Sequence, residues 1–162
     1  MTNLDKLITY FESFPGIGAR QARRFAFHVL TMQQSDTNEL ADLIRNLQGT
    51  VTECARCHRF FAQNQNTAKQ EMCTLCLDPN RDRTKLMVVE RDTDVQSIER
   101  SRVYDGLYFV LGGTLPLLSE SNNTLRSSSL KATIDTQLNE DLSEVILAFS
   151  VNPDGENTAR YI

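Results

Sequence analysis

The sequence lacks any run of about 18 apolar residues, the length needed to cross a bilayer, so no membrane span and no membrane partner are expected. Its first residues, MTNLDKLITYF, have neither the basic start nor the small-residue cleavage site of a signal peptide, and the chain is expected to be cytoplasmic. Positive charge is not in excess either. The formal net charge is -4, so bulk attraction cannot coat nucleic acid with this protein, and any such contact has to come from a local patch. No internal repeat and no long low-complexity stretch is present, although residues 119–129 are polar and Ser/Asn-rich and read as a loop. Cysteine is scarce, four residues with none left over as a spare reactive thiol. What is present is 162 residues with 40% apolar content, enough for one ordinary domain or two small ones with a real core.

Three amphipathic helices are expected first. Leu4, Leu7, Ile8 and Phe11 fall at i, i+3, i+4 and i+7 before Phe14-Pro15-Gly16-Ile17-Gly18 breaks the pattern. A second helix starts near Ala19, with Ala22, Phe25, Ala26, Val29 and Leu30 on one face and Arg20, Gln21, Arg23 and Arg24 elsewhere around its first turns. A third runs from about Asn38 with Leu40, Leu43, Ile44 and Leu47 inward and Gly49 ending it, so that the three share one core. After the cysteine segment, residues 79–85 read as a charged linker. Apolar runs at 86–90, 107–111 and 144–149 read as strands, with helical patterns at about 92–101 and 130–138 between them and another helix beginning near the end. Strands separated by helix-length connections point to βαβ units and a parallel sheet. The fold class is therefore α+β / α/β. Expected boundaries are 1–52 for the helical region, 53–78 for the cysteine module and 79–162 for the sheet domain.

Cys54, Cys57, Cys73 and Cys76 have the spacing C-x2-C-x15-C-x2-C. Each Cys-x-x-Cys turn offers two thiolates, and two such turns complete a tetrahedron around Zn²⁺. Four sulfurs leave no open position for activating water, so one structural zinc per chain is expected, its binding coupled to folding. A redox pair would sit at the start of a helix after a strand, a context neither pair shows. Cys54-Ala-Arg-Cys57-His58 also matches a c-type haem attachment pattern, which expects export.

The Pro-Gly-x-Gly turn has a use on DNA. Gly16 and Gly18 let a backbone come close, the amides opening the next helix form an anion site, and Arg20, Arg23 and Arg24 follow where they could reach phosphates without reading bases. The same residues would also serve as a plain sharp connection with a solvated basic face. His28 reads as a packed or surface residue, and Phe60-Phe61 as knuckle core.

The order of these blocks is more telling than any one of them. FPGIGARQARRFAFHVL, the four-cysteine module, VVERDTD, YFVLGG and EVILAFSVNPDGENTARYI together resemble the RecR family of bacterial recombination mediators over residues 4–162. The resemblance implies a helix-hairpin-helix region, a four-cysteine zinc module and a Toprim domain. It also implies DNA repair and recombination as the setting, sequence-independent DNA binding, RecO and RecF as partners in loading recombinase at single-stranded gaps, and a homo-oligomer, either a dimer or a tetrameric ring. Arg20 and Arg24 look like the basic residues lining such a ring, and Glu90 and Asp94 like the Toprim acids near partner and DNA contacts. Glu90 and Asp94 fit equally a solvated strand end and a helix N-cap region.

Catalytic Toprim domains hold Mg²⁺ with a glutamate after the first strand and an Asp-x-Asp pair after a later one. Here Glu90 fits the first, but Ser150-Val151-Asn152 stands where the pair would be, with only Asp154 and Glu156 beyond it. No catalytic residue is assigned and the chain is expected not to be an enzyme. A Mg-dependent nuclease or topoisomerase-like enzyme and a zinc-folded structural fragment remain alternatives, the latter because family members usually continue past the point equivalent to Ile162. Full ring assembly and partner binding are in question on that account, and an exposed sheet edge would promote association.

Overall fold

A computed structural model describes residues 1–63, 69–117 and 125–162. The chain divides into two compact units, Met1–Gly49 and Thr50–Ile162.

In the first unit, α1 (Asn3–Glu12) opens with a capping box. The Asp5 N–H donates to Thr2 Oγ1 at 3.2 Å and the Thr2 N–H to Asp5 Oδ2 at 2.8 Å, so two otherwise orphaned donors are satisfied at once. The helix stops at Ser13, and Phe14-Pro15-Gly16-Ile17 closes a turn with Ile17 N–H donating to the Phe14 carbonyl at 3.0 Å. Proline second and Gly16 third at φ 78° is the residue pattern a type II turn demands. Helix α2 (Ala19–Thr31) then packs back on α1. Ala22 and Ala26 are fully buried, and Phe11 meets Phe14 and Phe25 edge-on at 5.8 and 5.9 Å.

Helix α3 (Gln34–Thr50) begins four residues earlier than its apolar pattern suggests, and Gly49 lies inside it, not at a terminating left-handed cap. Its stripe does not join the expected common core. Leu43 and Ile44 are 62% and 66% exposed, and none of its residues is buried. Periodicity encodes an apolar stripe but does not name the surface that covers it.

The second unit is built on a parallel sheet of order β4-β3-β5, formed by β3 (Asp82–Val89), β4 (Gly106–Val110) and β5 (Glu144–Ala148). Alternation along β3 and β4 divides the core between two faces. Leu86, Val88, Leu107 and Phe109 pack with Leu130 and Leu142 on one face, under α6 (Ser127–Leu138). Val89, Tyr108 and Val110 pack with Val95 of α5 (Asp92–Ser101) on the other. Strand β5 lies at the sheet edge with Val145 and Leu147 exposed.

Two local expectations are corrected. Residues 82–85 belong to β3, not to a linker, because backbone pairing with Gly106 does not require apolar side chains, and the polar ones satisfy each other. Thr84 N–H donates to Asp82 Oδ1 at 3.0 Å, and Lys85 Nζ lies 2.9 Å from Asp82 Oδ2. Residues 127–129 form the first turn of α6 rather than loop, while residues 118–124 of that expected loop lie outside the described residues. A short antiparallel pair, β1 (Val51–Glu53) with β2 (Phe60–Ala62), was not signalled by the pattern.

The chain ends in α7 (Pro153–Tyr161), with Pro153 in its first turn and the Asn152 side chain accepting the Gly155 N–H at 2.8 Å. A Cβ on Gly155 would lie 2.0 Å from the Ser150 carbonyl oxygen, whereas one on Gly49 would meet nothing within 4 Å. Gly155→Ala is therefore expected to destabilise the second unit by about 1–3 kcal/mol. Gly49→Ala should stabilise α3 by up to about 1 kcal/mol. Urea unfolding of the two variants measures both, and the opposite signs are the discriminating result.

Candidate metal centre and nucleic-acid interface

The first cysteine pair lies in the turn between β1 and β2. His58 N–H donates to the Cys54 carbonyl at 3.0 Å, and Cys54 N–H to the Arg59 carbonyl at 2.8 Å. His58 takes the left-handed conformation, φ 60°, that lets the chain reverse around the two sulfurs. The second pair straddles α4 (Thr74–Leu77), with Cys73 at its N-cap and Cys76 inside it. Contrary to expectation, this pair does start a short helix. Among the described residues no strand immediately precedes it, however, and its thiols join the other two, which removes the redox-pair geometry.

All four sulfurs are buried and lie within 4.8 Å of one another. Cys54 and Cys76 are 3.8 Å apart and Cys57 and Cys73 3.6 Å, far beyond the roughly 2.05 Å of a disulfide. A tetrahedral ion with metal–sulfur bonds of about 2.3 Å requires sulfur–sulfur edges of about 3.8 Å. These two edges match that spacing, and the donor set suits a four-coordinate metal ion. Crowding drives the thiol pKa values apart. S–H contacts from Cys57, Cys73 and Cys76 lower Cys54, and Cys57 is raised, chiefly by facing Cys54. At Cys73 the contact with Cys54 raises the pKa, but the contacts with Cys57 and Cys76 outweigh it and bring the thiol down to about 6. Cys76 is raised, first by Cys54. Four thiolates cannot share this space without a cation to neutralise them.

The first knuckle is fastened to the sheet by contacts no spacing rule reveals. Val110 N–H, on the outer edge of β4, donates to the Cys57 carbonyl at 2.8 Å. Phe60 N–H donates to Asp92 Oδ1 at 2.7 Å. Arg126 spans from Glu53 at 3.2 Å to the Val110 carbonyl at 3.1 Å, and Arg56 pairs with Glu140 at 3.2 Å. His58 Nδ1 lies 2.6 Å from Glu53 and its ring stands edge-on to Phe109 at 5.1 Å.

The hairpin residues are open. Gly18 is the N-cap of α2, and no side chain caps the helix there. A Cβ at Gly16 or Gly18 would meet nothing within 4 Å, and Arg20, Arg23 and Arg24 are all exposed, Arg24 touching Gln21 at 3.5 Å. His28 is exposed, and of the pair expected in knuckle core Phe61 is half-buried while Phe60 is exposed.

Glu90 and Asp94 sit at the end of β3 and the start of α5. The Glu90 carboxylate accepts the Ser150 N–H at 2.7 Å, which places it beside Ser150-Val151-Asn152, while Asp94 accepts the Arg91 N–H at 2.9 Å as a helix cap. Asp154 accepts the Leu117 N–H at 3.0 Å. Among the described residues, the thiol cluster is the one group of three or more Cys, His or acidic side chains drawn close enough to hold a metal.

A helical hairpin followed by a four-thiol module on a parallel sheet defines a helix-hairpin-helix and Toprim protein. The helix-hairpin-helix description of RecR proteins matches residues 4–47, and the Toprim-domain description matches residues 84–162. Recombination protein RecR of Ligilactobacillus salivarius (strain UCC118) is 36% identical over 160 residues, 98% of this chain and 76% of its own length. RecR of Rhodococcus jostii (strain RHA1) is 38% identical over 158 residues, 96% of this chain and 75% of its own. RecR of Mycobacterium avium (strain 104) is 37% identical over 158 residues, 96% of this chain and 74% of its own. The chain belongs to the RecR family of recombination proteins, and its setting is recombinational DNA repair. It is shorter than these relatives. No helix among the described residues is long and apolar enough to cross a membrane.

Replacing Cys57 by Ser removes one of four buried donors. Metal content measured by mass spectrometry of the purified chain is expected to fall well below that of the unaltered protein. Because losing the metal frees the turn whose Cys57 carbonyl holds Val110 of β4, the melting temperature of the second unit should fall with it, by a margin worth about 3 kcal/mol or more.

Proposed function

We propose that this protein is a non-catalytic, DNA-binding recombination mediator that grips the phosphate backbone through the α1–α2 hairpin. The observation that carries it is the bare backbone at Gly18. Its φ of -89° and ψ of 168° suit any residue, and among the described residues nothing lies within 4 Å of the place a Cβ would take. The absence of a side chain there serves something outside the chain. Uncapped N–H groups of α2 and a first turn without an acidic residue favour an anion, and Arg20, Arg23 and Arg24 supply exposed charge around it. Binding of this kind is sequence-independent and salt-dependent.

The ion at Cys54, Cys57, Cys73 and Cys76 is Zn²⁺ in this proposal. Thiolate softness and tetrahedral four-sulfur geometry favour it, and a closed site leaves it a structural role in the cytoplasm. Absence of catalysis is supported by the oxygen ligands. Ser150 and Asn152 carry no carboxylate, and the carboxylates of Glu90, Asp94 and Asp154 already accept main-chain N–H groups. Glu90 and Asp94 then serve the partner-facing side of the sheet domain. RecO and RecF type proteins are the proposed partners for loading recombinase at gaps. Assembly into a dimer or ring is supported by the exposed apolar side chains Leu40, Leu43 and Ile44 of α3.

Arg20→Ala combined with Arg24→Ala is expected to weaken binding to a labelled single-stranded oligonucleotide by about tenfold or more. It should also flatten the dependence of log K on log salt by about 1.4. Unchanged affinity in the folded double variant would refute the hairpin assignment. Mg²⁺-dependent strand cleavage abolished by Glu90→Gln would refute the non-catalytic one.

A further inference from the structure

A pocket of about 450 Å³ opens in the second unit, between the cysteine module and α5. Leu75 and Val95 give it an apolar lining, and Arg59, Arg100 and Arg102 surround it. Among the described residues, no hydrogen bond or ion pair engages any of these three guanidinium groups, in contrast to Arg56, Arg81 and Arg126, each of which holds a carboxylate. Glu99, the one carboxylate at the pocket, is already matched, since it pairs with Arg81 and accepts the Tyr108 hydroxyl at 2.7 Å. Three unpaired guanidinium groups around one concavity are donors for an anion that enters it.

Local structure does not account for the cluster. A basic residue in the last turn of α5 complements the helix dipole, which explains Arg100 but not Arg59, contributed by the first cysteine knuckle. Arg102 caps α5 in the left-handed conformation, φ 55°, a position that glycine or asparagine adopts more cheaply.

We propose that Arg59, Arg100 and Arg102 form a second phosphate-backbone site for nucleic acid. The proposal rests on the DNA-binding function above and deepens it. Planar guanidinium forks match phosphate oxygens in pairs. An acidic peptide is disfavoured because the pocket offers it no main-chain ladder. The Arg59 carbonyl is taken by Cys54 N–H, and α5 uses its own main-chain groups internally.

The test is fluorescence polarisation of the full chain with labelled poly(dT) across a salt series. The triple variant Arg59→Gln, Arg100→Gln, Arg102→Gln is expected to bind about tenfold more weakly and to lose about 2 from the slope of log K against log salt. Arg102→Gly separates site loss from misfolding. It should melt at or above the temperature of the unaltered chain, because glycine relieves the left-handed backbone, and yet lose about 0.7 of slope. Unchanged affinity and slope in both variants would overturn the proposal. So would a triple variant that keeps its DNA affinity while losing affinity for a polyglutamate peptide, since that assigns the pocket to an acidic protein. The hairpin variant Arg20→Ala, Arg24→Ala, measured alongside, keeps the two ideas apart. If it binds like the unaltered chain while the pocket triple loses slope, the hairpin assignment fails and the pocket stands; the reverse pattern sinks the pocket.

Discussion

Four buried sulfurs held within 4.8 Å of one another are the constraint around which the second unit is organised. Without a cation the thiols titrate against each other, Cys54 and Cys73 downward and Cys57 and Cys76 upward, and no arrangement of protons makes all four equivalent. With one, the site becomes the rigid point from which Cys57 reaches the sheet. Its carbonyl accepts Val110 N–H on the outer edge of β4, so the knuckle covers a strand edge that would otherwise be an open template for pairing. Phe60 N–H to Asp92 and Arg126 to Glu53 extend the same attachment to α5 and to the residues before α6. A metal ion held by these thiols would thus be coupled to the sheet as well as to the small module that contains it.

The sheet itself follows the usual logic of a parallel layer buried on both faces. Period-two alternation sends Leu86, Val88 and Phe109 one way and Val89, Tyr108 and Val110 the other, with a helix over each side. The strand ends are occupied by turn and cap contacts. Glu90 holds the Ser150 amide, Asp94 caps α5, Asn152 caps α7 and Asp154 holds the Leu117 amide. Side chains that could have converged on a cation are engaged instead by the turns that shape the rim. Fold alone does not decide chemistry, which lives in the residues at the site.

The first unit works by a different principle. Ala22 and Ala26 let α1 and α2 approach closely, which leaves the Pro15-Gly16 turn and the start of α2 bare and α3 with an apolar stripe facing outward. The bare helix start and the exposed apolar stripe are both open surfaces of the first unit. Charge on this acidic protein is correspondingly local, at the hairpin and at the Arg59 pocket.

Sequence alone determined the features whose physics is local. The paired C-x2-C turns, the sharp turn at Pro15-Gly16, the α1 and α2 helices and the three apolar strands each depend on residues a few positions apart, and all are present, although on α2 only Ala22 and Ala26 are buried while Phe25 and Leu30 of the expected core face are exposed. Tertiary structure decided what depends on distant partners. The polar start of β3 is a strand because Gly106 lies beside Asp82, and the knuckle is an edge cover because Val110 reaches Cys57. Glu90 is a loop anchor because Ser150, sixty residues on, offers an amide. Arg59 meets Arg100 and Arg102 only once α5 is folded against the cysteine module. Spacing specifies turns and ligands, but only the packed chain specifies which groups are left with no partner.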